Sequence, residues 1–286
     1  MTKDLFTLFH SQEDRRFIKV HGLGNDFVLV DGRTESFKPD RELIAGICDR
    51  HRGVGADQLL VVEQTSSTSA DAFLRIYNVD GMEAQTCLNA TRCAARLLLA
   101  ESGAASVVVE TLGGIIEASF KGHNQVSLKV PRPRWGWQEI PLSRANDGLQ
   151  LPIESGPLKG PVAVNMGNPH LVCFVGDFDE VDIPLYAPAL QRHVMVPEGA
   201  NVGVAQLLSR ERIKLAVWER PGILTQACGS GACAAALAAR RLGLSESNYF
   251  SLQMPGGELA VEVLSDETTL LTGPVAVSFT GRLRVS

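Results

Sequence analysis

Two cysteines, Cys87 and Cys228, combine a reactive side chain with a position that could use it. Each stands just before a run of small residues typical of a helix, so each is predicted to lie at a helix N-terminus. Unpaired backbone N–H groups and the helix dipole there favour an anion, which would lower the pKa of the thiol and hold a substrate carboxylate. Two thiols facing one cleft could invert a carbon next to a carboxylate, one acting as base and the other as acid. The alternative is that both are small fillers at helix starts.

The two cysteines belong to an internal repeat. Three landmarks recur in the same order about 140 residues apart, which indicates two similar halves. They are the Gly-Asn turns at Gly24 and Gly167, the helix starts at Cys87 and Cys228, and the Gly-Gly pairs at Gly113 and Gly256.

Short runs rich in β-branched residues predict strands in both halves, and helices are predicted over residues 40–51 and 186–193. The fold class is therefore α+β, with two pseudo-symmetric halves and the active site in the cleft between them. We expect an N-terminal arm over 1–16, an N-terminal half over 17–134 completed by a strand over 276–286, and a C-terminal half over 135–275. A Pro/Trp-rich linker over 131–148 joins the halves.

Composition excludes several classes of function. The 286 residues carry a net charge of −5 without a basic block, which disfavours a nucleic-acid partner. No apolar run is long enough to span a bilayer and the start of the chain does not resemble a secretory signal, so we expect a cytoplasmic protein without a membrane partner. The six cysteines lack zinc spacing, and no dinucleotide motif is present, so no metal or cofactor is predicted.

Polar residues at turn-like positions could bind a small substrate that carries both charges. Arg220 could hold a carboxylate with two hydrogen bonds, or form an ion pair with Glu219 or another acid. His170 could tune a thiol, or be structural. The asparagines in such positions are also ordinary turn formers. They are Asn25, Asn78, Asn168 and Asn201.

The sequence resembles the diaminopimelate epimerase family. The resemblance rests on "HGLGNDFVLVD", "RHRGVGADQLLVVE", "IYNVDGMEAQTC", "VNMGNPH", "NVGVAQ", "VWER" and "ACGSGACAA", which together extend over almost the whole chain from Phe17. It implies that each half is a β-barrel-like sheet around a central helix. It also implies a homodimer that converts LL-2,6-diaminopimelate to the meso form without pyridoxal phosphate, by a two-base mechanism, in lysine and peptidoglycan biosynthesis.

The resemblance also implies roles for single residues. Cys87 and Cys228 match the two catalytic thiols, and His170 and Glu219 match groups that adjust them. Several of the matching substrate-binding positions hold the distal amino-acid end, which argues for a substrate with two such ends. The substrate-binding positions are Asn25, Gln58, Asn78, Leu88, Asn89, Asn168, Asn201, Glu219, Arg220, Gly229 and Ser230.

Two departures from the family pattern leave other functions open. Leu88 stands where the family has a glycine, and Pro221-Gly222-Ile223 replaces a Gly-x-Gly turn, so this loop is expected to differ in shape. A racemase of another amino acid, such as histidine, is one alternative. A catalytically weakened paralogue that binds an amino acid is the other.

Overall fold

The computed structural model describes residues 14–220 and 222–284. The arm predicted over 1–16 therefore lies outside the described residues except for 14–16, which begin the first strand instead. The first half contains β1 (Asp14–Gly22), β2 (Asn25–Asp31), α1 (Arg41–Cys48), β3 (Gln58–Glu63), β4 (Ala72–Asn78), β5 (Glu83–Ala84), α2 (Leu88–Ser102), β6 (Ser106–Thr111), β7 (Gly114–Phe120) and β8 (Gln125–Val130).

The second half repeats this order after a short hairpin. It contains β9 (Glu154–Ser155), β10 (Leu158–Lys159), β11 (Val162–Asn165), β12 (Pro169–Phe174), α3 (Ile183–Gln191), β13 (Asn201–Ser209), β14 (Arg212–Glu219), β15 (Ile223–Leu224), α4 (Gly229–Arg241), β16 (Tyr249–Met254), β17 (Gly257–Val263) and β18 (Thr269–Pro274). The last strand, β19 (Ala276–Arg284), returns to pair with β1 of the first half.

Strand pairing is the same in both halves. β2 runs parallel to β3 as β12 does to β13, and β4 runs parallel to β6 as β14 does to β16. The antiparallel pair β8–β18 joins the two halves, so seventeen of the described strands form one continuous sheet. The predicted α+β fold with two repeated halves is confirmed.

Each half curls its strands around one helix. α2 contacts β1, β2, β4, β6, β7 and β8, and α4 contacts β11, β12, β13, β14, β17 and β18. Residues from Ala232 to Ala239 on α4 are almost completely buried, because alanine lets the surrounding strands approach closely. None of the described helices is long and apolar enough to cross a membrane.

The structure corrects several local expectations. The second predicted helix begins earlier than residue 186, at Ile183, because Asp182 caps it by accepting a hydrogen bond from the Leu185 backbone N–H at 3.1 Å. Strands β13 and β16 were not predicted. The predicted linker packs as part of the second half, where Ile140 and Leu142 are buried against α3 and β12.

The Gly-Gly pairs of the repeat have a shared structural task. The backbone N–H of Gly113 donates to the carbonyl of Gln85 at 2.7 Å, and that of Gly256 donates to the carbonyl of Gln226 at 2.8 Å. Both acceptors lie two residues before a candidate catalytic cysteine. These turns therefore fix the chain that leads into each of the two central helices.

Replacing Gly256 by Ala is expected to lower the free energy of unfolding by about 1–3 kcal/mol, because an added Cβ would stand 2.0 Å from the backbone carbonyl oxygen of Leu23. Gly46→Ala is the matched control, since an added Cβ at this site in α1 meets nothing within 4 Å. The free energy of unfolding of that control variant should rise by up to about 1 kcal/mol, because alanine has a higher helix propensity than glycine. Urea unfolding measures both, and a G256A protein as stable as the parent would contradict the packing described.

Candidate active site

Cys87 and Cys228 occupy equivalent backbone positions at the starts of the two central helices. Each is the N-cap residue, with extended backbone angles of φ −150°, ψ 110° for Cys87 and φ −128°, ψ 108° for Cys228. Neither side chain caps its helix in the usual way. Backbone N–H groups of the first turn nevertheless favour a negative sulfur electrostatically, those of Asn89 and Ala90 at Cys87 and that of Gly231 at Cys228.

The other predicted site residues also lie at matching ends of matching elements. Asn25 and Asn168 follow the glycines of equivalent turns, Gln58 and Asn201 begin β3 and β13, and Asn78 and Glu219 end β4 and β14. The repeat therefore brings polar side chains of both halves to the same edge as the helix starts.

The first thiol lies beside two asparagines. Cys87 Sγ is 3.9 Å from Asn25 Oδ1, which also accepts a hydrogen bond from Asn89 Nδ2 at 3.0 Å. Asn89 Nδ2 donates a second hydrogen bond at 2.9 Å to the carbonyl of Ala227, the residue before the other thiol. Asn89 thus ties the two helix starts together, while its own buried Oδ1 has no protein partner.

The second thiol is linked to a histidine through a serine. Cys228 Sγ is 3.6 Å from Ser230 Oγ, and Ser230 Oγ is 3.0 Å from His170 Nε2. His170 Nε2 is also 2.9 Å from Asn168 Oδ1. His170 is fully buried, and burial, reinforced by the charge of Arg220, lowers its pKa to about 3. His170 is therefore neutral at physiological pH and can act on Cys228 only through hydrogen bonds.

Glu219, at the end of β14, is a carboxylate that acts on the thiols. It accepts a hydrogen bond from Thr225 Oγ1 at 2.8 Å and is hydrogen-bonded to Cys228. Burial raises the pKa of Glu219, although both hydrogen bonds oppose that rise. Its charge acts on Cys87 as well, so one carboxyl group influences both thiols.

The expectation that the helix starts lower the pKa of both thiols is wrong. Burial raises the pKa of Cys87 to about 11, and the backbone N–H groups reverse only part of the rise. Burial also raises the pKa of Cys228 well above its usual value, and Glu219 adds to that rise. Desolvation of a thiolate therefore outweighs the helix start at both positions.

Four predicted substrate-binding residues pair with each other and form no hydrogen bond to a thiol within the described residues. Gln58 Nε2 donates to Asn78 Oδ1 at 2.8 Å, and Asn201 Oδ1 accepts from the Arg220 backbone N–H at 2.9 Å. The Arg220 guanidinium donates to the backbone carbonyls of Glu198 and Gly199. Within residues 14–220 and 222–284 it forms no ion pair, so the alternative of a bridge to Glu219 is wrong.

The thiol site is packed closely. Cys228 is 4% exposed, and Asn89, His170 and Asn201 are buried as well. A cavity of 630 Å³ lies elsewhere, between β1, β2, α2 and β19, and neither thiol lines it. No cluster of His, Cys, Asp and Glu in the described part of the chain could hold a metal ion.

Sequence comparison identifies the family. The model of the family described as diaminopimelate epimerase matches residues 17–135 and 162–278. The diaminopimelate epimerase of Rhodospirillum centenum is 43% identical over 269 residues, which cover 94% of this chain and 92% of the relative. That of Erythrobacter litoralis is 44% identical over 267 residues, which cover 93% and 96%. The chain belongs to the diaminopimelate epimerase family.

Solved structures with the same fold extend beyond this family. A hydroxyproline epimerase from Agrobacterium vitis matches with a TM-score of 0.68 at 14% identity, over 95% of this chain and 93% of that one. A phenazine biosynthesis protein of the PhzF family from Bacillus anthracis matches with a TM-score of 0.66 at 16% identity, over 94% and 99%. At these identities the likeness concerns the fold alone.

This member of the diaminopimelate epimerase family accommodates Leu88 by packing it against the other helix start. Leu88 begins α2 outside the left-handed region, so the backbone does not require glycine there. An added Cβ at Gly229 would stand 3.0 Å from Leu88 Cβ and 2.8 Å from Leu271 Cδ2. A side chain at Gly229 would therefore press on both Leu88 and Leu271, so the leucine at one helix start favours glycine at the other. Pro221, the second departure, lies outside the described residues.

Sequence reasoning missed an ionic network behind Asn25. Asp57 accepts a hydrogen bond from Asn25 Nδ2 at 2.8 Å, and Arg50 bridges Asp57 to Asp26. Burial raises the pKa of Asp26, but hydrogen bonds from Arg50 and Lys19 outweigh it and lower the pKa to about 2. The residues lie within two motifs that resemble the family, but those motifs did not reveal their pairing. Thr225 and Arg92 were also missed.

We expect Gly229→Ala to reduce turnover about 10-fold or more, because the new methyl group must displace Leu88 or Leu271 and with them a helix start. Leu88→Gly removes one of the two clashes, so the double variant should recover part of the loss. Steady-state kinetics of the four proteins in the double-mutant cycle measure the coupling. Strictly additive effects would show that these residues do not constrain each other.

Proposed function

We propose that this chain converts LL-2,6-diaminopimelate to meso-diaminopimelate with Cys87 and Cys228 as the two proton-transfer groups and without a cofactor. The observation that carries the proposal is the placement of two thiols at equivalent N-caps of two helices, tied together through Asn89. Membership in the family supports this substrate.

The reaction moves one proton off the α-carbon and another onto its opposite face. The thiolate sulfur of one cysteine takes the α-proton, and the electron pair left on carbon delocalises into the adjacent carboxylate. The thiol of the other cysteine then donates its proton to the other face and becomes the thiolate. Backbone N–H groups of the two helix starts stabilise the charge that builds up on the carboxylate.

The raised thiol pKa values fit this chemistry. A C–H bond next to a carboxylate is a very weak acid, so the base must be strong when it acts. A desolvated thiolate is more basic than one in water, because burial removes the solvation that stabilises its charge. The same burial lowers the fraction of each thiol that is ionised. Groups that stabilise the thiolate therefore have a larger effect on the rate.

The substrate class follows from the residues beyond the thiols. Arg220 presents an exposed guanidinium that is anchored on backbone carbonyls and free of a carboxylate partner in the described residues. A bidentate carboxylate ligand suits such a group. We infer that Arg220, with Asn78 and Asn201, binds the second amino-acid end of the substrate. A racemase of a substrate with one amino-acid end would not need this set.

Incubation with LL-diaminopimelate in D₂O should give meso product with deuterium at one α-carbon. Cys87→Ala and Cys228→Ala are each expected to lower the rate by about 10²–10⁴-fold, because each removes one proton-transfer group. Cys48→Ala, a buried cysteine outside the site, serves as the matched control and should stay close to the parent.

The outcomes separate the alternatives. Racemisation of another amino acid such as histidine, with diaminopimelate unchanged, would favour the racemase. Calorimetric binding of diaminopimelate without exchange would favour the weakened paralogue.

We also propose that the protein is a homodimer. Strand β19 pairs only with β1 among the described strands, and it exposes Val277 and Phe279, which are 52% and 49% accessible. An exposed edge strand with apolar side chains is suited to pairing with another chain. Phe279→Glu should shift the mass measured by light scattering towards the monomer. Phe120→Glu is the control, and an unchanged dimer in both variants would exclude this edge.

We place the reaction in the cytoplasm. All six cysteines are free thiols in the structure, which suits a reducing compartment. The amino-acid biosynthesis implied by the proposed substrate also belongs there. Recovery of the protein from a periplasmic or membrane fraction of cells would contradict this placement.

A further inference from the structure

Arg92 is a fully buried arginine without a hydrogen-bond partner. It lies on α2 with 0% exposure, and its Nε, Nη1 and Nη2 atoms make no hydrogen bond with the protein. A guanidinium carries five N–H donors and a permanent charge, and burying such a group without a partner is among the costliest arrangements in a protein. Its retention therefore requires a reason beyond packing.

The surrounding glycines make room for the guanidinium. An added Cβ at Gly22, at the end of β1, would stand 2.8 Å from Arg92 Nη2, and one at Gly273 on β18 would stand 3.1 Å from Arg92 Cζ. The group thus fills a slot between the first half and a strand of the second. Arg92 on α2 and Cys233 on α4 occupy equivalent positions, each five residues after the N-cap thiol of its helix. Only α2 therefore carries a cation at this position.

Burial lowers the pKa of Arg92, and three thiols among the described residues oppose that shift. They are Cys87 and Cys93 on its own helix and Cys233 on α4. Cys93 and Cys233 are 0% exposed, and burial raises the pKa of each, so neither meets a substrate. The guanidinium lies against the first turn of α2, because an added Cβ at Gly22 would stand both 2.8 Å from Arg92 Nη2 and 3.7 Å from Asn89 Cβ. Cys87 is the thiol at that helix start.

We propose that Arg92 is a positioning residue that supplies the buried counter-charge for the thiolate of Cys87. The inference rests on the proposed function in that it takes Cys87 as a proton-transfer group. With Cys87 ionised, the guanidinium gains the opposite charge that its burial otherwise lacks. The charge of Glu219, at the end of β14, opposes ionisation of the same sulfur, so Arg92 and Glu219 act on Cys87 in opposite directions.

The test measures the thiolate directly. Alkylation by iodoacetamide is followed against pH, and mass spectrometry reads the Cys87 and Cys228 peptides separately. In Arg92→Met the midpoint for Cys87 should rise by about one pH unit, and alkylation at pH values below the midpoint should be about 10-fold slower, because loss of a buried positive charge on the same helix disfavours the thiolate. Arg92→Lys should keep most of the parent profile, since it keeps the charge.

The controls use the same protein. Arg96→Met removes an arginine one turn further along α2, which contacts Asn124 and Phe120 rather than a thiol, and should leave the Cys87 midpoint unchanged. The Cys228 peptide provides an internal reference. The α-proton exchange rate of each variant is recorded in parallel, and because alkylation needs no turnover, failure of the proposed reaction and failure of this inference are distinguishable.

Stability separates a positioning role from a structural one. Exchanging an unpaired buried charge for an apolar side chain of similar length is often neutral or stabilising, so Arg92→Met should melt at the parent temperature or above. A folded Arg92→Met protein with the parent Cys87 profile would overturn the inference. Failure of both Arg92→Met and Arg92→Gln to fold would also overturn it, because Arg92 would then serve the fold.

Discussion

The active site depends on where two helices begin. Each central helix starts at a thiol, and the residues just before the thiol are held by turns from both halves. Gly24, at φ +83°, packs against Gln226 of the second half, and Gly167, at φ +97°, faces Thr86 of the first. Because the left-handed backbone at these glycines is available without a side-chain penalty, each half can close on the helix start of the other. A shift of either turn would move a sulfur relative to the substrate.

The two halves share a framework but differ in charge. At positions where the first half has Phe27 and Asn78, the second has His170 and Glu219, and both of these are linked to Cys228. The first half in turn buries Arg92 on its central helix, where the second half has Cys233. The pseudo-symmetry therefore fixes two sulfurs at equivalent places, while these substitutions give them unequal surroundings.

Packing explains how the chain departs from its family without losing the site. Leu88 fills space next to Gly229, so one side chain occupies the contact between the helix starts. The backbone N–H groups that serve the thiols belong to the following residues and are unaffected by the leucine side chain. The departure thus alters the volume between the two helix starts more than the backbone groups beside the thiols.

The sequence by itself determined the repeat, the two thiols at helix starts and the membership of the family, because these depend on local patterns and residue identity. Strands β13 and β16 escaped prediction, since their places beside β12 and β14 are set by distant partners. The tertiary structure alone decided the direction of the thiol pKa shifts, the burial of Arg92 and the contact of Leu88 with Gly229. Each of these depends on which atoms exclude water from a group, and that is fixed only when residues far apart in the chain pack together.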